Sequence, residues 1–241
     1  MEFTNQLKKY IRSLHIHKFR QKYNKFIVEG PKICDEYLQG PYTVSHIICT
    51  TSWHSTHISP NYNGHYIVVN SKTLQQISNL KTANQVLCLV DMPNENPPIK
   101  NQWSIYLDKI QDPGNMGTII RTADWYGITQ IIISSDSVDV YNPKVVQSSM
   151  GSHNRHIFHS LNASALINLD FPLYGLTLDG EPIEHVNLEP GIIIIGNESK
   201  GIRPEIIKRL DQKLTITKRG QAESLNAAVA CGIACHLLLD S

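Results

Sequence analysis

The chain has 241 residues, 41% of them hydrophobic, and a formal net charge of +1. It can bury a sizeable core and is long enough for two modest domains, while its charge balance argues neither for nor against a nucleic-acid partner. Its five cysteines (Cys34, Cys49, Cys88, Cys231, Cys235) include no Cys-x-x-Cys pair, so neither a zinc site nor a disulfide framework is expected, and the compartment is reducing, most simply the cytosol.

The opening Met-Glu-Phe-Thr-Asn-Gln lacks the apolar region of a signal peptide. Next comes a basic run: Lys8, Lys9, Arg12, Lys18, Arg20, Lys22 and Lys25, with His15 and His17 among them and no acid. Tyr10, Phe19 and Tyr23 are interleaved. Such a composition suits phosphate contacts plus base stacking, which makes Lys9, Arg12, Lys18, Arg20 and Lys22 candidate RNA contacts. A solvated helix face is the alternative.

Strand and helix signals then alternate. Phe26 to Val28 reads as a strand, with Pro31 in the first turn of a helix through Leu38. His46 to Cys49 and Tyr66 to Val69 read as strands, Ser71 as the cap of a helix over Leu74 to Leu80, and Val86 to Val90 as a buried strand. Pro93-Asn94-Glu95-Asn96-Pro97-Pro98 can continue neither element type. It predicts a linker over 93–103 between a domain at 1–92 and a second at 104–241.

Alternation resumes with a strand at Ile105 to Leu107 and a helix from Thr118 to Tyr126 stopped by Gly127. Ile131 to Ile133 is a strand, Pro143 to Met150 a helix, and Leu173 to Leu178 and Ile192 to Ile195 are strands. Pro204 to Leu210 is a helix, Leu214 to Thr217 a strand, and Ser224 to Leu239 the last helix. That final apolar run is too short to span a bilayer and carries His236. Cys231 and Cys235 share its face as buried apolar positions. Uninterrupted apolar strands such as Ile192 to Ile195 are what a parallel sheet covered on both faces requires, so the fold class is α/β with a mostly parallel C-terminal sheet.

In such a sheet, ligands bind where strand ends lead into helix N-termini. Three loops there carry unusual polar residues: Asp108 to Gly117 running into Arg121, Gly196 to Gly201, and Arg219 to Asn226. Each has an ordinary reading as turn or cap. None matches the Gly-x-Gly-x-x-Gly fingerprint of a nucleotide-dependent oxidoreductase or the Lys-Ser/Thr ending of a P-loop.

Taken together, Asn115 followed six residues later by Arg121, then Gly196, Glu198 and Gly201, then Ser224-Leu225-Asn226, resemble the three motifs of the SpoU/TrmH family of RNA 2′-O-ribose methyltransferases, in the knotted SpoU–TrmD (SPOUT) superfamily. Tyr141 to Val146 with Ser149 to Ser152 resembles that family's middle helix. Phe26 to Lys32 resembles the start of the small α/β substrate-binding domain that many members carry. Two departures are Thr217 where the family's strand usually ends in proline, and Ala227-Ala228 where Val-Ser is commoner.

The resemblance implies a deep C-terminal trefoil knot, a homodimer whose interface completes the active site, and S-adenosylmethionine as cofactor with no metal. It implies catalytic roles for Asn115, Arg121, Glu198, Ser224 and Asn226, with Arg121 also an RNA contact. Leu176, Thr177, Gly196, Asn197, Gly201, Ile216, Ser224 and Leu225 are implied around the cofactor. A guanidinium is effectively never deprotonated in a protein. Arg121 is therefore expected to clamp phosphate and stabilise developing charge, oriented by Asn115 and Glu198. Ribosomal RNA is the leading substrate; transfer RNA and a non-catalytic RNA-binding protein with a vestigial fold are the alternatives.

Overall fold

The computed structural model describes residues 2–57, 65–94 and 96–239. In chain order the elements are α1 (Asn5–Ser13), α2 (His17–Tyr23), β1 (Lys25–Glu29), α3 (Pro31–Gln39), β2 (Val44–Cys49), α4 (Thr51–Thr56), β3 (His65–Val68), α5 (Ser71–Ile77) and β4 (Val86–Asp91). There follow β5 (Ser104–Leu107), α6 (Pro113–Trp125), β6 (Gln130–Ile133), α7 (Pro143–Ser148), β7 (Ile157–Ser160), α8 (Ala163–Ile167), β8 (Leu173–Pro182), β9 (Ile192–Ile195), α9 (Pro204–Ile207), β10 (Gln212–Thr215) and α10 (Ala227–Leu239). They form two compact units, one of residues 1–94 with 139–155 and the other of 95–138 with 156–241.

The first unit is built on a four-stranded sheet in the order β1-β4-β2-β3. Its β1/β4 and β4/β2 pairs are antiparallel and β2/β3 is parallel. Alternation along the strands serves two cores. Phe26, Val28, Ile47, Cys49, Val86 and Cys88 point to one face, and Ile27, Ile48, Leu87 and Leu89 to the other with Ile11, Leu14 and Leu74, as a period of two requires. The cysteines are buried free thiols. Residues 139–155, which their place in the sequence assigns to the second domain, pack within this unit instead: Val146 and Tyr141 join the first core, and Tyr37 Oη is hydrogen bonded to His153 Nδ1 at 2.6 Å.

The basic run folds as α1 and α2. Thr4 caps α1 by accepting from Leu7 N, and Asn24, at φ 50°, ends α2 in the left-handed conformation that asparagine tolerates. Lys9, Arg12, Lys18 and Lys22 are exposed. Arg20, expected among the RNA contacts, is instead inside, 1% exposed. Its Nε and Nη2 donate to Asp139 Oδ2 at 2.9 and 2.6 Å, and Nη1 donates to Leu14 O at 2.9 Å. A guanidinium buried and held in this way does not reach a phosphate in solvent, so Arg20 serves the packing of the first unit.

The second unit holds a six-stranded sheet in the order β10-β8-β9-β5-β6-β7, and every pair is parallel. Tyr106, Ile132, Ile192 and Ile194 face one core with Leu166, Ile202 and Ile206, while Ile105, Ile131 and Ile193 are buried on the opposite face. The chain enters at β5, winds outward to β6 and β7, and then crosses to β8 on the other side. Its direction of winding therefore reverses between β5 and β9, the topological switch point at which open α/β sheets bind ligands.

Candidate functional site

Two helices begin elsewhere than the sequence suggested. Helix α6 starts at Pro113, not Thr118, because the Asp112 carboxylate caps it, accepting from Asn115 N at 2.7 Å, and proline suits the first helical position. Helix α10 starts at Ala227, not Ser224. Its cap is Asn226, whose Oδ1 accepts from Ala228 N at 2.9 Å and Val229 N at 3.3 Å. Similarly, Asn70 rather than Ser71 caps α5.

The cap on α10 also orients the rest of the Asn226 amide. With Oδ1 held by backbone N–H groups, Nδ2 turns outward and donates to Asn115 Oδ1 at 2.9 Å. Asn115 Nδ2 in turn donates to Glu198 Oε1 at 2.6 Å. One residue from each of the three loops thus joins a single polar chain, running from a helix N-terminus to a carboxylate.

Two further ties lock the loops. Asn197 Nδ2 donates to Lys109 O at 2.9 Å, and its Oδ1 accepts from Ser199 N and Lys200 N at 3.0 and 3.1 Å. Gly201 N donates back to Asn197 O at 2.8 Å. This turn closes so tightly that a Cβ on Gly196 would lie 2.4 Å from Gly201 C and Ile202 N, and Gly201 itself takes φ 65°.

Beneath the loops lies a charge cluster that sequence reasoning missed. Asp108, 1% exposed, accepts from Arg203 N at 2.8 Å and from Arg203 Nε at 2.7 Å, and Arg203 Nη2 bridges to Asp136 at 2.8 Å. Desolvation by itself would lower the Arg203 pKa; the hydrogen bonds to Asp108 and Asp136 outweigh it and raise it further. Asp136 shifts down, because hydrogen bonds from Ser134 and Arg203 outweigh its desolvation. The available signal was a charged residue directly after each of two apolar stretches, Asp108 after β5 and Arg203 after Ile202.

At the far strand, β8 leaves register: Gly175 faces Lys213 and the next pair is Glu181 with Leu214. Residues 176–180 therefore form an excursion without ladder partners on β10, and it carries half-buried Leu176 and Thr177. Gly180 ends it where a Cβ would meet the Leu214 backbone at 2.5 Å. Ile216 is half-buried and Leu225 is 45% exposed. Thr217, in place of proline, donates from Oγ1 to Glu184 at 3.3 Å.

Not every expected site residue joins this network. Ser224 is exposed and makes no side-chain hydrogen bond among the described residues. Arg121 is exposed, and among the described residues neither Asn115 nor Glu198 is hydrogen bonded to it. The geometry of α6 gives the reason: six residues at about 100° each leave Arg121 about 120° around the axis from Asn115. Among the described residues no group of three or more His, Cys, Asp or Glu is placed to hold a metal, and no helix is long and apolar enough to cross a membrane.

A family model described as the SpoU rRNA Methylase family matches residues 102–236, and one described as an MRM3-like substrate binding domain matches residues 5–88. The chain is similar to the 23S rRNA (guanosine(2553)-2′-O)-methyltransferase RlmP of Bacillus subtilis, at 30% identity over 95% of this chain and 94% of that protein. Its structure is similar to that of a TrmH-family protein from Porphyromonas gingivalis, with a TM-score of 0.91 and 33% identity over 99% of both chains. It also resembles the AdoMet-bound rRNA methyltransferase of Sinorhizobium meliloti, with a TM-score of 0.88 and 25% identity over 98% of this chain and 96% of that one.

Proposed function

The chain belongs to the SpoU rRNA methylase family, and from that membership we propose that it transfers a methyl group from S-adenosylmethionine to a ribose 2′-hydroxyl of ribosomal RNA. The observation that carries the reading is the polar chain Asn226–Asn115–Glu198, which draws three separate loops together at the switch point of the sheet. Similarity to RlmP over nearly the full length of both proteins favours ribosomal over transfer RNA.

The residues present fit the cofactor. S-adenosylmethionine supplies an electrophilic methyl group, and this chain's part is to bind and orient. Leu176 and Thr177 present backbone outside the ladder, Ile216 and Leu225 offer apolar surface, and Gly196 lets the Gly196–Gly201 turn close on its own backbone, which gives that loop a fixed shape. Asn197 keeps that turn fixed, and Asn115, Glu198 and Asn226 hold the three loops at one spacing, so that positioning supplies most of the rate. Ser224, exposed beside Leu225, is assigned to the substrate side.

Arg121 keeps its proton and acts as a cation, binding an RNA phosphate and stabilising negative charge that develops on the 2′-oxygen. Its direction, away from Asn115, requires RNA or a second copy of the chain to bring it to the reacting oxygen. The homodimer and the trefoil knot belong to the same proposal.

The test is to incubate the purified protein with methyl-labelled S-adenosylmethionine and with ribosomal or transfer RNA from cells lacking the gene, and then to map 2′-O-methyl positions. Label on one ribose of ribosomal RNA is expected. Label on a base, label on transfer RNA alone, or cofactor binding without transfer to any RNA refutes the reading.

A further inference from the structure

The exposed cations of the basic run share α1 and α2 with a cluster of rings. Tyr10 of α1 and Tyr23 of α2 meet edge to face, with centroids 4.9 Å apart and planes at 82°. Phe19 lies nearly parallel to Tyr23 at 6.3 Å, and Lys22 Nζ stands 5.4 Å above the Tyr23 ring. The two tyrosines line an open recess of about 570 Å³, together with Thr4, Gln6, Leu7, Lys9 and Ser13. Tyr23 is 38% exposed, so part of its ring is open to solvent.

Lys9 lines the recess and is exposed, as are Arg12, Lys18 and Lys22 on the same two helices, and none of the four is held in an ion pair among the described residues. Arg20 and Lys25, by contrast, are paired with Asp139 and Asp91. Of the seven cations of this stretch, Arg20 and Lys25 hold the fold, half-buried Lys8 donates to Gln76 Oε1 at 2.6 Å, and the other four are left to solvent. A solvated helix face would explain the four cations but not the half-exposed rings set among them.

We propose that the Tyr10/Tyr23 recess is a stacking site for an unpaired base of the RNA substrate, with Lys9, Arg12, Lys18 and Lys22 tracking the phosphates on either side of it. The proposal rests on the assignment of RNA as substrate and adds the structural class: a single-stranded segment, bound by the first unit. The chemistry is selective. Aromatic faces stack on any base, but only one that is not already stacked in a duplex, and the neighbouring cations supply affinity without sequence preference. Lys22 can swing from the Tyr23 ring to a phosphate without breaking an ion pair. A protein ligand is disfavoured, since a recess rimmed by unpaired lysines and lacking a large apolar floor offers little to a folded partner.

The experiment uses the full chain and a short RNA carrying 2-aminopurine, presented as a single strand or within a duplex. The wild-type protein is expected to bind the single strand more tightly and to quench its fluorescence by stacking. Tyr23→Ala should weaken single-strand binding by roughly tenfold and abolish the quench, while Tyr23→Phe, which keeps the ring, retains both. Lys9→Ala and Lys22→Ala should each lower the slope of affinity against salt by about one ion and leave the quench in place. Equal binding of single strand and duplex, or a Tyr23→Ala variant with wild-type affinity and a native circular dichroism spectrum, overturns the stacking site. If the same preparation still methylates ribosomal RNA, only the subsite falls; if it neither binds nor methylates any RNA, the functional assignment falls with it.

Discussion

Removing Arg203 probes what holds the two central loops at a fixed spacing. Asp108 is 1% exposed, and its oxygens are served by the Arg203 backbone N–H at 2.8 Å and side-chain Nε at 2.7 Å, with Nη2 2.6 Å from Oδ1. In Arg203→Met the carboxylate keeps only the backbone donor. An uncompensated buried charge costs about 3–5 kcal/mol, and because the Arg203 side chain is 24% exposed, entering water should recover part of it, leaving about 2–3 kcal/mol. Asp108→Asn keeps an acceptor for the backbone N–H and leaves Arg203 with Asp136, so about 1–2 kcal/mol is expected. The two changes share one interaction, so the double variant should fall short of additivity by about 1 kcal/mol or more. Urea unfolding of the four proteins, with fluorescence and circular dichroism transitions compared, measures these terms. A loss under about 0.5 kcal/mol in Arg203→Met, or full additivity in the cycle, would refute the clamp. Cofactor affinity measured by calorimetry should also fall, because the loop that leads to Asn115 begins at Asp108 and the loop that carries Glu198 is followed by Arg203.

Arg121→Lys should leave stability within about 0.5 kcal/mol and cofactor affinity unchanged, since the side chain is exposed and has no ion pair among the described residues, yet lose roughly 100-fold or more in methyl transfer; full turnover would remove Arg121 from the chemistry. Arg20→Met should destabilise the first unit by about 2–4 kcal/mol by stranding Asp139, whose side chain is 14% exposed, without changing the salt slope of RNA binding. A reduced slope with intact stability would return Arg20 to the RNA face. Asp136 has a lowered pKa in the folded state, so its contribution is present above the unfolded carboxylate range and lost as pH falls through the folded value. With 43% of its side chain exposed, that contribution is within about 1 kcal/mol. Asp136→Asn should therefore be slightly less stable than wild type at pH 7, and the difference should shrink as pH falls below the usual carboxylate range in matched urea titrations.

What was legible in the sequence was what local pattern encodes. Runs such as Ile192 to Ile195 have no polar face to turn to water, so they could only be central parallel strands, and β9 lies between β8 and β5. The loops were legible because polar and glycine residues stood directly after those strands. Long-range partnership was not. Arg20 looked like one cation in a row of cations, and what buries it is Asp139, a residue 119 positions away. Asp108 and Arg203 lie 95 positions apart, and nothing in either neighbourhood announces the other. Helix starts failed for a related reason. Apolar periodicity marks the buried stripe of α6 and α10, whereas the first turn is set by which side chain reaches the free N–H groups, and Asp112 and Asn226 do that.

The Asn226 cap also explains why the polar chain needs these residue types. An amide that gives its oxygen to a helix N-terminus has only donors left, so its partner must accept there. Asn115 accepts through Oδ1 and is then left with donors of its own, so the chain must end on a group that accepts without donating. The Glu198 carboxylate meets that requirement when ionised. Aspartate at 115 could accept from Asn226 but would then face Glu198 with a second carboxylate, and serine at 198 would be too short to reach. Capping and site assembly are therefore one arrangement: the α10 N-terminus orients the first amide, and each hydrogen bond fixes the direction of the next, ending on the carboxylate of the loop after β9.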